Sequence, residues 1–393
     1  MVFVKGINRD YDNQFARSGA KIGSTINIRK PNQYFLRKGQ NMQVQATNEG
    51  YVPLTLDTQY GVDVDFTTVE LTLSIDDFGK RILAPAMSKI SSGMDQDGLL
   101  QAKKVYNQVG TAGTTPGTSG TGSSLTLTTS PQVYLNAGAL MDLYATPRDR
   151  LRRVCVGPIA QALSVASLSG LFESRELIAE QYREGVMGRA LGFEFAMDQN
   201  TPTLTNGTHA STCLISGASQ TGASITLTTG LVSDTLFKEG EIVTLPGCFG
   251  VNPENQTTTG LLQQFVVTAD CTTSATGAAT LAISPSIVVA GTSVANGTVT
   301  ASPTNGGAVI PYSGSAAATN AINLAYHRDA FCMGSADLMM PEGLDWARRE
   351  SFDGISMRIL RQYVINSDQM PCRIDVLAGF KTLRPELACR IAG

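Results

Sequence analysis

The sequence predicts an α+β fold into which an all-β domain is inserted, and three observations support this prediction. Between residues 24 and 74, short runs alternate apolar and polar side chains, as strands with one buried face do. Apolar residues at helical spacing then predict a long helix at 85–109. From 199 to 320 the charge nearly disappears, and short β-type runs alternate with Gly, Pro and Asn. A chain of 393 residues has room for all these parts.

The N-terminal part predicts two segments that lack a core of their own. Residues 1–24 are polar with weak periodicity and predict an extended arm, which is either disordered or lies on a neighbour. Residues 25–66 predict a long β-hairpin, and its middle is basic. The basic residues are Arg29, Lys30, Arg37 and Lys38. Because an isolated hairpin is marginally stable in water, we expect it to be buried against another subunit.

The predicted helix 85–109 starts at Pro85, since proline fits the first turn of a helix but not its interior. Gly93 and Gly98 each cost up to about 1 kcal/mol of helix propensity, so the helix is expected to pack closely along its length. Residues 69–74 before it predict a strand. We expect that strand to pair with another at 357–366, so that the two ends of the chain close one domain.

The middle of the chain alternates predicted helices and strands, which is typical of an α/β or α+β domain. An uncharged Gly/Thr-rich linker at 110–130 precedes it. The predicted elements are a helix at Tyr134–Tyr144, a strand at 151–157, a helix from Pro158, a second helix at Ser174–Gly185 and a strand at 188–198.

The charge-poor segment predicts a small sandwich or barrel. Residues 199–325 contain one basic residue, Lys238, and five acidic residues. Because α-containing sequence resumes at Ala321, we interpret 199–320 as an inserted domain rather than a terminal one.

The composition excludes several classes of protein. The net charge of −3 gives no global field for nucleic acid, and no apolar run approaches the ~20 residues of a membrane span. The first residues lack the apolar core of a signal peptide, so we expect the protein to stay in the cell that makes it. Seven scattered cysteines without a CxxC pair predict small buried side chains rather than disulfides or a zinc site.

Candidate chemistry is sparse, and no catalytic, cofactor or metal site is predicted. His209 and His327 lack partners at ligand spacing, so structural roles are favoured over a general base. Asp95 and Asp97 resemble part of a calcium loop, but a solvated helix face explains them better. The basic cluster at 148–153 is interpreted as salt bridges at a subunit contact rather than as a phosphate site.

Five stretches together resemble the major capsid (coat) proteins of tailed bacteriophages with the HK97-like fold. The similarity is greatest to the short-tailed-phage branch that carries an inserted β-barrel domain. The stretches are 19–39, 69–87, 188–200, 323–331 and 354–391, in the same order and spacing as in that family.

The resemblance implies an N-terminal arm, an extended loop, a long spine helix, and peripheral and axial domains. The domains it implies are an arm at 1–24; an extended loop at 25–66; a peripheral domain at 67–130 and 354–380 with the spine helix 85–109; an axial domain at 131–198, 321–353 and 381–393; and the insert at 199–320.

By the same resemblance, the protein assembles into pentamers and hexamers of an icosahedral head around a scaffolding protein, with a portal protein and packaged double-stranded DNA as further partners. It is then a non-enzymatic virion component that is assembled in the host cytoplasm, without cofactor or membrane. Two other functions stay open at this point: the shell of a cargo-holding nanocompartment, and a β-rich tail or adhesion component.

Overall fold

The computed structural model describes residues 1–10, 23–34, 36–37, 39–45, 49–67, 82–114, 116, 132–168, 188–209, 213–291, 296–352 and 355–393. The predicted helix at 174–185, the strand at 69–74 and most of the linker at 110–130 lie outside these residues.

The α-helices are α1 (Ala84–Leu100), α2 (Gln132–Leu143) and α3 (Pro158–Leu168). Short 3-10 helices occupy Val4–Gly6, Gln101–Lys104, Arg328–Ala330 and Pro385–Leu387. The predicted helices near Tyr134 and Pro158 are therefore confirmed.

The first strands are β1 (Thr25–Arg29), β2 (Tyr51–Thr55), β3 (Thr58–Val64), β4 (Gln108–Val109), β5 (Arg152–Val156), β6 (Arg189–Ala190), β7 (Phe193–Met197) and β8 (Thr203–Thr205). The charge-poor segment holds β9 (Leu214–Ile215), β10 (Gly222–Thr228), β11 (Thr235–Phe237), β12 (Ile242–Val251), β13 (Thr258–Val267), β14 (Cys271–Thr272), β15 (Ala278–Ile287) and β16 (Ile310–Pro311). The last strands are β17 (Thr319–His327), β18 (Phe331–Ala336), β19 (Trp346–Phe352), β20 (Ile355–Arg361), β21 (Cys372–Thr382) and β22 (Ala388–Ala392).

The chain forms two compact units. The first consists of Met1–Lys30, Tyr51–Leu99 and Phe331–Leu383. Its main sheet has the order β18-β21-β20-β19, and β3 pairs with β21 as a fifth strand. The hairpin β1–β2 forms a separate two-stranded sheet in this unit. Segments from both the N-terminal and the C-terminal part of the sequence therefore build the unit.

The second unit consists of Pro31–Gly50, Leu100–Ala330 and Arg384–Gly393. Its seven-stranded sheet has the order β4-β22-β17-β5-β7-β6, with β8 pairing to β17. Apolar side chains of α2 pack on this sheet because they recur every three or four residues. They are Val133, Tyr134, Ala137, Leu140 and Met141.

The charge-poor segment of the second unit forms a closed barrel. Six strands follow the order β16-β12-β13-β15-β10-β9. The residues just before β16 also bond to β9, since Ile215 N donates to Gly307 O and Val309 N donates to Cys213 O, both at 2.9 Å. Both edges of the sheet are thereby joined, which makes it a barrel; the sequence had left a sandwich and a barrel open.

The barrel encloses a hydrophobic core of its own. Every buried member of that core lies between Cys213 and Val309. The threonine-rich alternation places Ile225 and Leu227 inside and Thr226 and Thr228 outside. All seven cysteines of the chain are buried thiols, and their burial agrees with the prediction.

The long helix ends earlier than predicted. It stops as an α-helix at Leu100 instead of Val109, continues as a 3-10 turn to Lys104, and gives way to β4. The cause is distant in sequence: Gln108 and Val109 pair in parallel with Arg390 and Ile391. Since Arg390 also donates to Lys103 O, that carbonyl serves a side chain rather than another helical turn.

Strand pairing also corrects the predicted organisation. At Arg358–Arg361, β20 pairs with β19 on one edge and with β21 on the other. The predicted partner at 69–74 lies outside the described residues. Within them, β3 joins the N-terminal part of the chain to this sheet by pairing with β21. Residues 331–352 were predicted with the axial segments, but the two strands in this range, β18 and β19, pair within the sheet of the first unit.

Candidate functional site

The N-terminal segment is fastened to α1 by a buried carboxylate. Asp95 is 3% exposed, and its Oδ2 and Oδ1 accept hydrogen bonds from Val2 N at 2.7 Å and Val4 N at 3.1 Å. Hydrogen bonds of this charged kind are stronger than neutral ones. The prediction that Asp95 lies on a solvated helix face is therefore wrong. Its neighbour Asp97 accepts a hydrogen bond from the hydroxyl of Tyr60 at 2.8 Å.

Phe3 fills a pocket that Gly98 keeps open. The Phe3 ring is fully buried and meets Phe331 edge-on, with centroids 5.5 Å apart. A Cβ atom on Gly98 would lie 2.8 Å from Phe3 Cδ1, so any larger residue would obstruct the ring. Beyond it, Asn8 forms a parallel bridge to Cys332 in β18. The prediction that 1–24 buries nothing in its own subunit is wrong for residues 1–8.

The base of the extended loop is seated in the first unit. Ile26, Ile28 and Leu54 of the β1–β2 hairpin form a cluster with Cys332 and Leu383. Antiparallel pairing from Thr25–Thr55 to Arg29–Tyr51 confirms the predicted hairpin at its base. Between these strands the described residues contain no further strand, so the hairpin is shorter than predicted. Strand β3, predicted within the loop, belongs to the sheet.

The end of the loop exposes large apolar side chains. Leu36, Met42 and Val44 are 83%, 81% and 80% exposed, and Tyr34 is 58% exposed. A group of this kind on a surface indicates a binding site for another molecule. Basic Arg37 lies among these residues and donates to carbonyls of the loop itself, Gly39 O and Asn41 O.

A polar junction fastens the inserted barrel to the seven-stranded sheet. Gln108 N donates to Gln264 Oε1 at 2.6 Å, and Gln264 Nε2 donates back to Gln108 O at 2.9 Å. The side chain of Gln264 thus acts like one residue of a neighbouring strand. Further bonds join Tyr144 Oη to Gln263 Oε1 and Asn252 Nδ2 to Leu143 O, both at 2.9 Å.

Arg390 is the charged member of this junction. It is fully buried, donates from Nη1 to Gly240 O at 2.6 Å, and donates from Nη2 to Lys103 O. In the described part of the chain, no carboxylate pairs with it and its Nε has no acceptor. Burial lowers the pKa of the guanidinium to about 9. The group therefore remains a cation at neutral pH, held by carbonyl dipoles.

Both histidines lie beside carboxylates of the same subunit. His327 is 1% exposed; its Nε2 lies 3.0 Å from Asp149 Oδ1, and its Nδ1 accepts from Asp329 N at 3.2 Å. His209 Nε2 lies 3.8 Å from Glu241 Oε2. Burial lowers the pKa of His209 and raises that of Glu241, whose other oxygen accepts from the Gly207 and Lys238 amides.

The basic cluster at 148–153 forms salt bridges inside the subunit. Arg148 and Arg152 both bind Asp142, and Arg153 lies 3.0 Å from Glu194. Burial would raise the pKa of Asp142, but hydrogen bonds from the two arginines leave it lowered. Salt bridges were the favoured interpretation, but their partners belong to the same chain.

The described residues contain no group of three or more His, Cys, Asp or Glu side chains that could hold a metal ion. Among them, no helix is both long and apolar enough to span a bilayer. Sequence reasoning misassigned Asp95 and missed Arg390, because their hydrogen-bond partners lie dozens to hundreds of residues away in the chain. The acid beside the apolar stripe of α1 was the one available signal.

Three comparisons place this chain among known proteins. The sequence model of a family described as P22 coat protein, gene protein 5, matches residues 22–393. No curated protein matches. Solved structures that are similar include one titled Mycobacterium phage Che8, with 11% identity, a TM-score of 0.48, and coverage of 99% of this chain and 90% of that one.

Two further structures extend the comparison. The capsid structure of the cyanophage P-SCSP1u has 11% identity and a TM-score of 0.43, covering 94% of this chain and 83% of that one. The CUS-3 coat protein I-domain has 25% identity and a TM-score of 0.20, and covers 26% of this chain and 97% of that domain.

Proposed function

Because the chain belongs to the P22 coat protein family, we propose that its two units and its barrel are the parts of an HK97-like capsid fold. Family membership makes the chain a major capsid protein, a structural component that forms the shell of the virion rather than a member of a known enzyme class. The match over 22–393 carries this conclusion, and it argues against a tail component.

In this proposal the first unit is the peripheral domain and α1 is its spine helix. The seven-stranded sheet with α2 and α3 is the axial domain, and the closed barrel is the inserted domain. The extended loop is limited to residues 25–55, since β3 pairs with β21. The support is the agreement between these elements and the parts that the family resemblance implies.

We propose that subunits join through heterologous contacts that close rings of five and six. The exposed apolar end of the extended loop supports this, because Leu36, Met42 and Val44 are each at least 80% exposed in the single subunit. Obligate contacts of this kind bury upwards of ~2,000 Å². A scaffolding protein, a portal protein and packaged double-stranded DNA are proposed as further partners.

Assembly is tested directly by electron microscopy and sedimentation of the purified protein, alone and coexpressed with the scaffolding protein. We expect closed shells in at least one of these conditions. Material that never exceeds a dimer in either condition would overturn the proposed mode of assembly.

Changing Leu36, Met42 and Val44 together to serine is expected to prevent shell formation without unfolding the subunit. The three side chains are exposed, so the free energy of unfolding should change by less than about 0.5 kcal/mol per site. Each would lose about 1.5–3 kcal/mol of burial in the shell. Light scattering and denaturant titration measure the two effects. Val232→Ser, at a 55% exposed barrel position, is the control; normal shells from the triple variant would refute the role of the loop.

We further propose that the inserted domain folds independently and stabilises subunit or intersubunit contacts. Its core draws only on residues 213–309, and β8 with the start of β17 forms a paired stem at its base. A fragment of residues 201–320 is expected to give a dispersed amide NMR spectrum and a cooperative thermal transition. An unstructured spectrum would count against independent folding.

A further inference from the structure

Three segments that are far apart in sequence meet at one buried guanidinium. Arg390 extends from β22, Lys103 O closes the 3-10 turn after α1, and Gly240 O belongs to the turn that opens β12 of the barrel. Gly240 has φ +95° and brings its backbone close to the turn: a Cβ there would lie 3.3 Å from Lys103 Cβ. The backbone of β22 joins the same cluster, because Arg390 N donates to Asn107 O at 2.8 Å.

A buried cation without a carboxylate depends on every dipole around it. Removing ionic groups from water is expensive, and here the two carbonyl oxygens stand in for the lost hydration. If either turn moved away alone, the charge would stay buried with only one carbonyl in contact. The 3-10 turn and the barrel turn therefore gain stability from staying together, beyond what their covalent connection provides.

The other bonds of the junction differ in this respect. The Gln108–Gln264 and Tyr144–Gln263 bonds join neutral groups, which water can replace at a net cost that is small for each bond. The barrel core is complete in itself and needs no side chain from the sheet. Most of the junction could thus open locally, and the guanidinium is the group that resists it.

We propose that Arg390 is the coupling residue of the subunit: it makes the 3-10 turn at 101–104 and the barrel turn at 238–241 open as one event. Movement of the 3-10 turn is thereby transmitted to the inserted barrel. This inference concerns the isolated subunit and does not depend on how shells are built, so it can fail while the proposed function stands.

Hydrogen exchange of the full-length protein followed by mass spectrometry tests the coupling. In the unaltered chain, amides of segments 101–108 and 236–245 are expected to share one opening free energy and one denaturant dependence. In Arg390→Met, the two segments should exchange independently: the ratio of the exchange rate at 101–108 to that at 236–245 should rise at least tenfold over the unaltered chain. The amides of β15 should keep their protection. Arg384→Met is the matched control, because Arg384 pairs with Glu386 at a partly exposed position.

Each result decides the proposal. A rate ratio that changes less than twofold in Arg390→Met would overturn it, and so would equal acceleration of both segments together with β15, which is plain destabilisation. If Arg390→Met fails to fold, the unaltered chain still decides: independent exchange of the two segments there refutes the coupling, and a shared opening that separates in Arg390→Lys supports it.

Discussion

Replacing Gly379 by alanine is expected to displace the base of the extended loop and to abolish shell formation. Gly379 lies in β21 directly beneath β2, and a Cβ atom there would lie 2.0 Å from Thr55 O and 3.0 Å from Thr55 C. Both atoms belong to the backbone, so no side-chain rotation relieves the overlap. The β1–β2 hairpin must move away from β21, and overpacking of this kind costs about 1–3 kcal/mol or more.

The effect on assembly should exceed the effect on folding. The five-stranded sheet of the first unit does not include β1 or β2, so the Gly379→Ala subunit is expected to stay folded with a lower denaturation midpoint. Because the base of the extended loop is displaced, the loop would project in a different direction and could not reach its place on a neighbouring subunit. Electron micrographs should therefore show no closed shells. Gly93→Ala is the matched control, because nothing lies within 4 Å of that Cβ position and a helix favours alanine by up to about 1 kcal/mol. Shells of normal yield and size from Gly379→Ala would show that the loop base tolerates displacement.

Local patterns predicted the elements whose causes are local. Helix α3 begins at Pro158, where the missing amide proton costs nothing. The threonine-rich runs predicted the barrel strands, because alternation and flanking glycines are properties of a few neighbouring residues. The nearly uncharged composition likewise drew attention to the segment that contains the barrel core, which lies within Cys213–Val309.

Features with long-range causes could not be predicted in the same way. The end of α1 depends on Arg390, which lies nearly three hundred residues further along the chain. Asp95 fits a solvated helix face by sequence, and it is the docking of Val2 and Val4 that buries it. Gly379 carries no local signal at all, since the group that would clash with a side chain is Thr55 O in another sheet.

The same long-range packing changes what is expected from the N-terminus. A segment as short as residues 1–8 has too few residues to display a period, yet Phe3 and Val4 are both fully buried. A free arm would be dispensable for folding, whereas a docked segment contributes to the core of the first unit. Truncation of residues 1–20 is therefore expected to lower the stability of the subunit, not only its ability to assemble.

Phe3→Ala isolates this contribution and is expected to destabilise the subunit by about 3–5 kcal/mol, the usual cost of removing a buried phenylalanine. The cavity would lie between Gly98 and Phe331 on a helix and a strand that the sheet holds in place, so little collapse can fill it. Denaturant titration of the unassembled subunit measures the decrease in the free energy of unfolding, and Phe3→Leu should recover a large part of that free energy. If Phe3→Ala instead leaves the unfolding free energy unchanged and removes only shell formation, residues 1–8 work as an arm on a neighbouring subunit. If Phe3 packs within its own subunit, Phe3→Ala should lower the stability of the unassembled subunit and Phe3→Leu should restore most of it. Packing on a neighbouring subunit would not give this pair of results.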